Sequence, residues 1–235
     1  MQNITIIPTY NERDNIKKLI QDVLALFPDM QLLVVDDNSP DGTGTLVEQL
    51  SRLHKTLHLI RRSKKLGLAS AYKEGFQWAL ERNFDYIFQM DADLSHRPSD
   101  MVEMLEKAKS SADLVIGSRY KDRLGIQGWS IFRIGLSYLA NFYARAVLGT
   151  KIYDMTSGFR CFRMETLRKI DFSKICSEGY AFQIEMAYLC WKKKYRIDEC
   201  PIVFIERASG RSKLNMKIIF EAFLTVLRMR WQCKC

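Results

Sequence analysis

The chain has 235 residues, 47% hydrophobic and 27% charged, with 36 Lys and Arg against 27 Asp and Glu and a net charge of +9. This composition excludes a disordered or fibrous chain, and the length suits one large domain or two small ones around a sizeable core. The basic balance points to an anionic partner: nucleic acid, a phosphorylated small molecule or a negative membrane surface.

The first 117 residues alternate between short apolar runs and helical spacings. Strands are expected at Ile4–Ile7, Leu32–Val35, Leu57–Ile60, Tyr86–Met90 and Leu114–Gly117. Between them, Glu12–Phe27, Thr43–Leu53, Leu68–Arg82 and Ser99–Ser110 carry helical periodicity. Strands separated by helices of this length indicate βαβ units and a mostly parallel sheet. Ligands bind such sheets outside the carboxyl ends of the strands, which singles out Pro8–Glu12, Asp36–Gly42, Asp91–His96 and Ser118–Tyr120.

The second half changes character. Trp129–Leu148 has apolar residues near helical spacing, while Arg133, Ser137, Asn141 and Arg145 recur every four residues as a polar stripe. An amphipathic helix with basic residues can lie at a membrane interface; the plainer alternative is a core-facing helix whose polar stripe is solvated. Thr156–Phe162 follows as a stretch without assigned structure. Helices near 164–170 and 181–193, a strand at Arg196–Val203 and an apolar-rich helix over Leu214–Trp231 complete the chain. No apolar run reaches the roughly 18–20 residues that span a bilayer, and the N-terminus lacks the basic-then-apolar pattern of a secretory signal. Six cysteines and three histidines show no zinc-ligand spacing, and a reducing, cytosol-facing compartment is expected for the thiols. One domain over 1–235 is expected: a nucleotide-binding half (1–117), an acceptor-side half (118–213) and a C-terminal amphipathic helix (214–235).

Asp91-Ala92-Asp93 closes the apolar strand at Tyr86–Phe88. Side chains two apart on extended backbone share a face, so both carboxylates can meet one cation. Hard cations such as Mg²⁺ or Mn²⁺ take carboxylate oxygens and keep water or substrate phosphates as further ligands. Asp-x-Asp alone also describes a solvated turn. The second strand, however, ends in Asp36-Asp37-Asn38-Ser39-Pro40-Asp41-Gly42, which can accept ribose hydroxyls or the N–H edge of a base, and Pro8–Glu12 offers an aromatic face and a carboxylate. No G-x-G-x-x-G follows the first strand and no P-loop pattern occurs.

Taken together, Pro8–Glu12, Val35–Gly42, Asp91–His96 and Gly117–Tyr120 resemble the inverting family 2 glycosyltransferases of GT-A fold. Lys65–Tyr72, Thr156–Arg160, Gly179–Met186 and Ile205–Lys213 extend the resemblance to about residue 215 and narrow it to the dolichyl-phosphate mannosyltransferase branch. The resemblance implies a Rossmann-like α/β fold and transfer of mannose from GDP-mannose to dolichyl or another polyprenyl phosphate, the product serving as donor for glycan synthesis. It implies that Pro8, Tyr10, Glu12, Val35 and Asp37 hold the guanosine, with the Ala92 backbone at the nucleotide. Asp91 and Asp93 would bind Mg²⁺ or Mn²⁺, with Ser95 as a third, direct or water-mediated contact. Arg119, Arg207 and Lys213 would surround the phosphates, with Ser209–Ser212 as a mobile loop, and Arg133 and Ser137 would join Arg119 at the lipid phosphate. Asp91, Asp93 and Arg119 are thus the expected catalytic residues. Many family members that use hydroxyl acceptors have an Asp base in the segment matching Gly179–Glu185; this chain has Gln183 there, which suits an acceptor that arrives already ionised, since a phosphate monoester has its second pKa near 6. The expected setting is the cytosolic face of a membrane, with small membrane-anchoring subunits as one means of attachment. A UDP-glucose-type donor on the same fold remains open, as does a non-catalytic nucleotide- or nucleic-acid-binding module; scattered cations and the lack of any nucleic-acid motif argue against a nucleic-acid partner.

Overall fold

The computed structural model describes residues 1–122, 124–206 and 216–232, with side chains for all of these except Tyr180, 216–222 and Gln232. Strands β1 (Asn3–Thr9), β2 (Gln31–Asp36), β3 (Leu57–Arg61), β4 (Tyr86–Gln89) and β5 (Leu114–Ser118) alternate with helices α1 (Arg13–Leu26), α2 (Thr43–Ser51), α3 (Leu68–Leu80) and α4 (Asp100–Ser110). A short strand β6 (Ile126–Gln127) leads to the long helix α5 (Ile131–Leu148). Strand β7 (Arg160–Arg163), helices α6 (Met164–Arg168) and α7 (Gly179–Lys192), strands β8 (Ile197–Pro201) and β9 (Phe204–Ile205) and helix α8 (Met216–Gln232) follow.

Seven strands form one sheet in the order β3-β2-β1-β4-β7-β5-β8, parallel except for β7, which runs antiparallel to both neighbours. Successive side chains of a strand leave on opposite faces. Ile4 and Ile6 accordingly pack with α3 and α7, and Ile7 with α1 and α4. Helices α1, α2 and α4 cover one face, and α3, α5, α6, α7 and α8 the other, giving a three-layer α/β sandwich. The expected strands and helices of the first 117 residues are all present, with ends shifted by at most two residues.

The sequence reading missed β7. Its residues, Arg-Cys-Phe-Arg, begin and end on arginine, which hides the period-two pattern. Arg160 is nevertheless fully buried, its Nε donating to the Ser157 carbonyl and its Nη2 to the Met155 carbonyl, both at 2.9 Å. Those bonds are what let a cation sit inside the sheet layer.

One proline opens the sheet where the site forms. The Met90 N–H donates to the Ile6 carbonyl at 3.2 Å, and the β1–β4 pairing ends at Ile6 with Gln89. Pro8, two residues on, faces the same neighbour and has no N–H to donate, so the ladder cannot continue on that side. On the other side, β1 stays paired with β2 through Thr9 and Asp36.

Candidate active site

The carboxyl ends of β1 and β2 are tied by a buried carboxylate. Asp36 is fully buried and accepts from the Thr9 hydroxyl (2.9 Å) and the Ser39 hydroxyl (2.6 Å). Asp37 is also buried: one oxygen accepts from Arg62 at 2.6 Å, the other from the backbone N–H groups of Leu66 (3.2 Å) and Gly67 (2.8 Å). Asp37 therefore pins the loop before α3. That loop lays Lys65 over Tyr10, with Nζ 3.7 Å from the ring centroid. Glu12 accepts from the Asn15 amide at 2.9 Å. Val35 is wholly buried with its side chain in the core, which leaves only its backbone to meet a ligand. Pro8, Tyr10, Glu12 and Asp37 thus share one end of the sheet.

Asp91 and Asp93 follow β4, next to that end. Asp93 Oδ1 accepts from the Ser95 N–H (3.1 Å) and hydroxyl (2.5 Å). Ser95 is fully buried, and its hydroxyl is directed onto Asp93, a contact the sequence did not disclose. Ala92 is buried between the two acids. Asp91 receives the Tyr72 hydroxyl at 3.4 Å, and its backbone N–H donates to His96 Nδ1 at 3.4 Å. Burial, reinforced by the Asp91 charge, pushes Tyr72 well above the ordinary phenol value, so it remains a donor. On its other side Asp91 faces Gly158, where a Cβ would stand 3.2 Å from Oδ2.

Arg119 follows β5. Its Nε and Nη2 donate to the two oxygens of Asp154, each at 2.7 Å, its backbone N–H donates to the same carboxylate at 3.0 Å, and Nη2 also reaches the Thr156 hydroxyl at 2.6 Å. Both residues are buried. Burial alone would raise Asp154, but the Arg119 charge and hydrogen bonds hold its carboxyl below the usual range. The forked edge of Arg119 is therefore taken by a protein carboxylate that the sequence reading did not single out. Asp154 is in turn held by Glu199, which accepts from the Tyr153 and Asp154 N–H groups at 2.8 and 2.9 Å.

Helix α5 is the largest departure from ordinary amphipathic packing. Its polar stripe faces the protein. Asn141 is buried, donates to the Ser137 carbonyl (3.0 Å) and the Thr156 hydroxyl (3.1 Å), and accepts from the N–H groups of Met155 (2.8 Å) and Thr156 (3.3 Å). Ser137 accepts from the Tyr120 hydroxyl at 2.7 Å, and Arg133 pairs with Glu206 at 3.0 Å while stacking on Trp129. The apolar face points outward instead, with Ile131 89%, Phe132 81% and Leu139 62% exposed. The stripe is thus not solvated, although Ala144 and Leu148 near the end of the same helix do pack in the core.

Aromatic rings join the two regions. Phe204 lies against His96, Trp129 and Arg119, with centroid distances of 5.4 and 5.3 Å to the rings and 5.6 Å to the guanidinium. Arg119, Arg133 and Ser137 thus gather beside Trp129 and Tyr120, one aromatic layer from the Asp91 turn. Arg207, Lys213 and the 209–212 loop lie outside the described residues. Gln183 is 2% exposed on α7, with neither amide atom partnered.

The family model for glycosyl transferase family 2 matches residues 4–171. The chain belongs to glycosyltransferase family 2. It is 41% identical over 226 residues to a polyprenol monophosphomannose synthase of Mycolicibacterium smegmatis, covering 96% of this chain and 85% of that protein. It is 40% identical over 236 residues to an undecaprenyl-phosphate mannosyltransferase of Micrococcus luteus, covering 99% of this chain and 97% of that one. Among solved structures, glucosyl-3-phosphoglycerate synthase of Mycobacterium tuberculosis with bound phosphoglyceric acid superposes at a TM-score of 0.70 with 16% identity, over 97% of this chain and 79% of that one. The same enzyme with Mn²⁺, UDP and glucosyl-3-phosphoglycerate gives 0.68 with 18% identity over the same shares. That likeness establishes the mostly parallel sheet architecture.

As a family 2 glycosyltransferase the chain needs a place for a nucleotide diphosphate, and the Asp91 turn has suitable chemistry. Among the described residues no group of three or more His, Cys, Asp or Glu converges as a closed metal site. Two carboxylates with a bare glycine beside one of them suit a hard divalent cation that keeps water and phosphate oxygens as its other ligands. Among the described residues no helix is long and apolar enough to cross a membrane.

Proposed function

We propose that this chain, as one catalytic unit, transfers mannose from GDP-mannose to a polyprenyl phosphate with inversion, giving a β-linked mannosyl phosphate and GDP. The observation that carries the reading is the outward apolar face of α5, whose inner, polar side meets Arg119 and Tyr120 within one aromatic layer of Asp91 and Asp93. Such a helix can rest on lipid while presenting an isoprenoid phosphate to the sheet end. The names of the two relatives near 40% identity support mannosyl transfer to a polyprenyl phosphate.

Tyr10 and Glu12 are assigned to the base, with Pro8, Val35 and Ala92 contributing backbone contacts. Asp37 serves the same pocket by fixing the loop that carries Lys65. Asp91 and Asp93 would hold Mg²⁺ or Mn²⁺; the Mn²⁺ in the glucosyl-3-phosphoglycerate synthase complex supports a divalent ion on this fold. The ion would supply charge neutralisation on the departing diphosphate. Ser95 orients Asp93, and Tyr72 orients Asp91. Arg119 and Arg133, with Ser137, line the approach of the lipid phosphate. Arg207 and Lys213 are assigned to the phosphates from the resemblance alone. An ionised phosphate needs no base to attack, which agrees with a buried amide at Gln183 in place of an acid.

The setting that fits is the cytosolic surface of a membrane, reached by α5 directly or with a small anchoring subunit. Titration of GDP and UDP in the presence of Mn²⁺ tests the donor half. The reading requires GDP to bind at least about tenfold more tightly, a difference of 1.4 kcal/mol; tighter UDP binding would move the chain to a glucosyl-type donor.

A further inference from the structure

A cavity lies at the opposite end of the sheet from the Asp91 turn, beside the turn that enters β8. It measures about 670 Å³ and is bounded by the ends of α5, α7 and α8, with Gly149, Trp191, Lys192, Lys194, Tyr195 and Arg230 among its walls. Lys194 and Arg230, from two separate elements, line it together with Lys192, and among the described residues no carboxylate does. Its rim is fixed by backbone. Gly149 ends α5 in the left-handed region (φ 69°) with its N–H on the Arg145 carbonyl at 2.9 Å. Lys194 is held at φ 58° by its own N–H on the Trp191 carbonyl (3.0 Å) and by the Tyr195 N–H on the Cys190 carbonyl (3.1 Å). Lys194 is therefore held at the rim by a defined turn.

Like charges gathered in a concave, partly apolar site repel one another and favour an anion among them. The aromatic walls narrow the class further, because Trp191 and Tyr195 offer apolar surface beside the charge. The location narrows it again. Tyr143 stacks on Phe223 at 4.2 Å, so α5 and α8 lie side by side, and Leu148 and Arg230 both reach this cavity. Helix α8 also exposes Phe223 (43%) and Trp231 (74%), next to the outward apolar face of α5. Tryptophan with arginine beside apolar surface is the composition found at a lipid–water boundary.

We propose that this cavity binds the phosphate of an anionic phospholipid headgroup, separate from the transfer site, and so gives the protein a second foothold on the bilayer. The volume suits a glycerophosphate headgroup, and basic pockets between helices take such groups. The inference rests on the membrane-facing reading of α5 and is independent of which sugar is transferred.

The test follows tryptophan fluorescence of the full chain titrated with dihexanoyl phosphatidylglycerol below its micellar concentration. Dihexanoyl phosphatidylcholine and inorganic phosphate are run separately. No nucleotide sugar is present, so a wrong donor assignment cannot affect the result. The expected result is saturable binding of phosphatidylglycerol, with the signal abolished by Trp191→Phe. Affinity should fall about tenfold or more in Lys194→Gln/Arg230→Gln and less than twofold in Lys18→Gln/Lys109→Gln, whose charges lie on α1 and α4 across the sheet. A thermal unfolding midpoint within a few degrees of the unsubstituted protein confirms that each variant is folded, and single Arg230→Gln is the milder substitute if the double variant is not. Equal weakening by both charge pairs, saturation by phosphatidylcholine, or inorganic phosphate binding as tightly as the lipid would overturn the assignment.

Discussion

Arg119 and Asp154 form a buried, two-pronged ion pair in which both nitrogen–oxygen distances are 2.7 Å, and the Thr156 hydroxyl closes the same network on Asn141. Removing one partner strands a buried charge, which costs about 3–5 kcal/mol. Arg119→Met is expected to lose stability in that range at neutral pH. In the native protein the Asp154 carboxyl titrates below its ordinary 3.8, so the pair's stabilisation is complete above that value and is lost as pH falls through the lower native value. In Arg119→Met the carboxyl has lost its partner and burial raises its pKa, so the deficit should shrink as pH is lowered toward 4. Urea denaturation of both proteins across pH 4–8 measures this; a deficit independent of pH would remove the ion pair as its cause.

Asn141 joins the outward-facing helix to the loop that holds Asp154. Asn141→Leu leaves the Met155 and Thr156 N–H groups without acceptors, a cost of about 1–3 kcal/mol. Its effect on turnover should be selective: the KM for lipid phosphate rises several-fold while GDP affinity stays within twofold. Asn141→Asp keeps the acceptor oxygen but sets a buried carboxylate against the Ser137 carbonyl, so it should not recover the lost stability. Equal damage to both substrates would make Asn141 a folding residue only.

At the Asp91 turn, Asp91→Asn and Asp93→Asn are expected to lower kcat by about 10²–10³-fold, since the charge opposite the departing diphosphate is worth several kcal/mol. Gly158→Ala tests the same site without altering a charge. The added methyl would stand 3.2 Å from Asp91 Oδ2, so Mn²⁺ affinity measured by electron paramagnetic resonance should fall. Gly135→Ala, whose Cβ meets nothing within 4 Å, serves as the control and should bind Mn²⁺ normally.

The exposed face of α5 yields a binding prediction. Vesicles containing phosphatidylglycerol should float the protein reversibly and less so at high salt, because apolar burial and attraction to anionic lipid act together. Replacing Phe132 and Leu139 with Asp, at 81% and 62% exposure, should abolish flotation while leaving the thermal midpoint within a few degrees. Loss of flotation with activity restored only by a second protein would point to an anchoring subunit instead.

The alternation of the first 117 residues was readable because the apolar runs of β1, β2, β4 and β5 are strands buried on both faces, and each helix shows its own stripe. The Asp91 turn was readable because acids at strand ends sit in sequence where they sit in space. Asp154 and Glu199 were not readable. Their importance comes from partners 35 and 45 positions away, and nothing local distinguishes them from solvated acids. Strand β7 stayed hidden behind its arginines. The stripe on α5 was visible, but periodicity alone does not say which side faces the core; that is decided by the three hydrogen bonds of Asn141 to Met155 and Thr156.

The central claim is that a sugar on a nucleotide passes to an isoprenoid phosphate at the edge of this sheet. The direct measurement is incubation of the purified protein with Mg²⁺, undecaprenyl phosphate in vesicles and either GDP-[¹⁴C]mannose or UDP-[¹⁴C]glucose, followed by butanol extraction. The account predicts a labelled, acid-labile, β-linked mannosyl lipid from GDP-mannose only, absent with Asp91→Asn. Label entering the lipid from UDP-glucose but not from GDP-mannose would contradict it, as would release of free mannose with no lipid product.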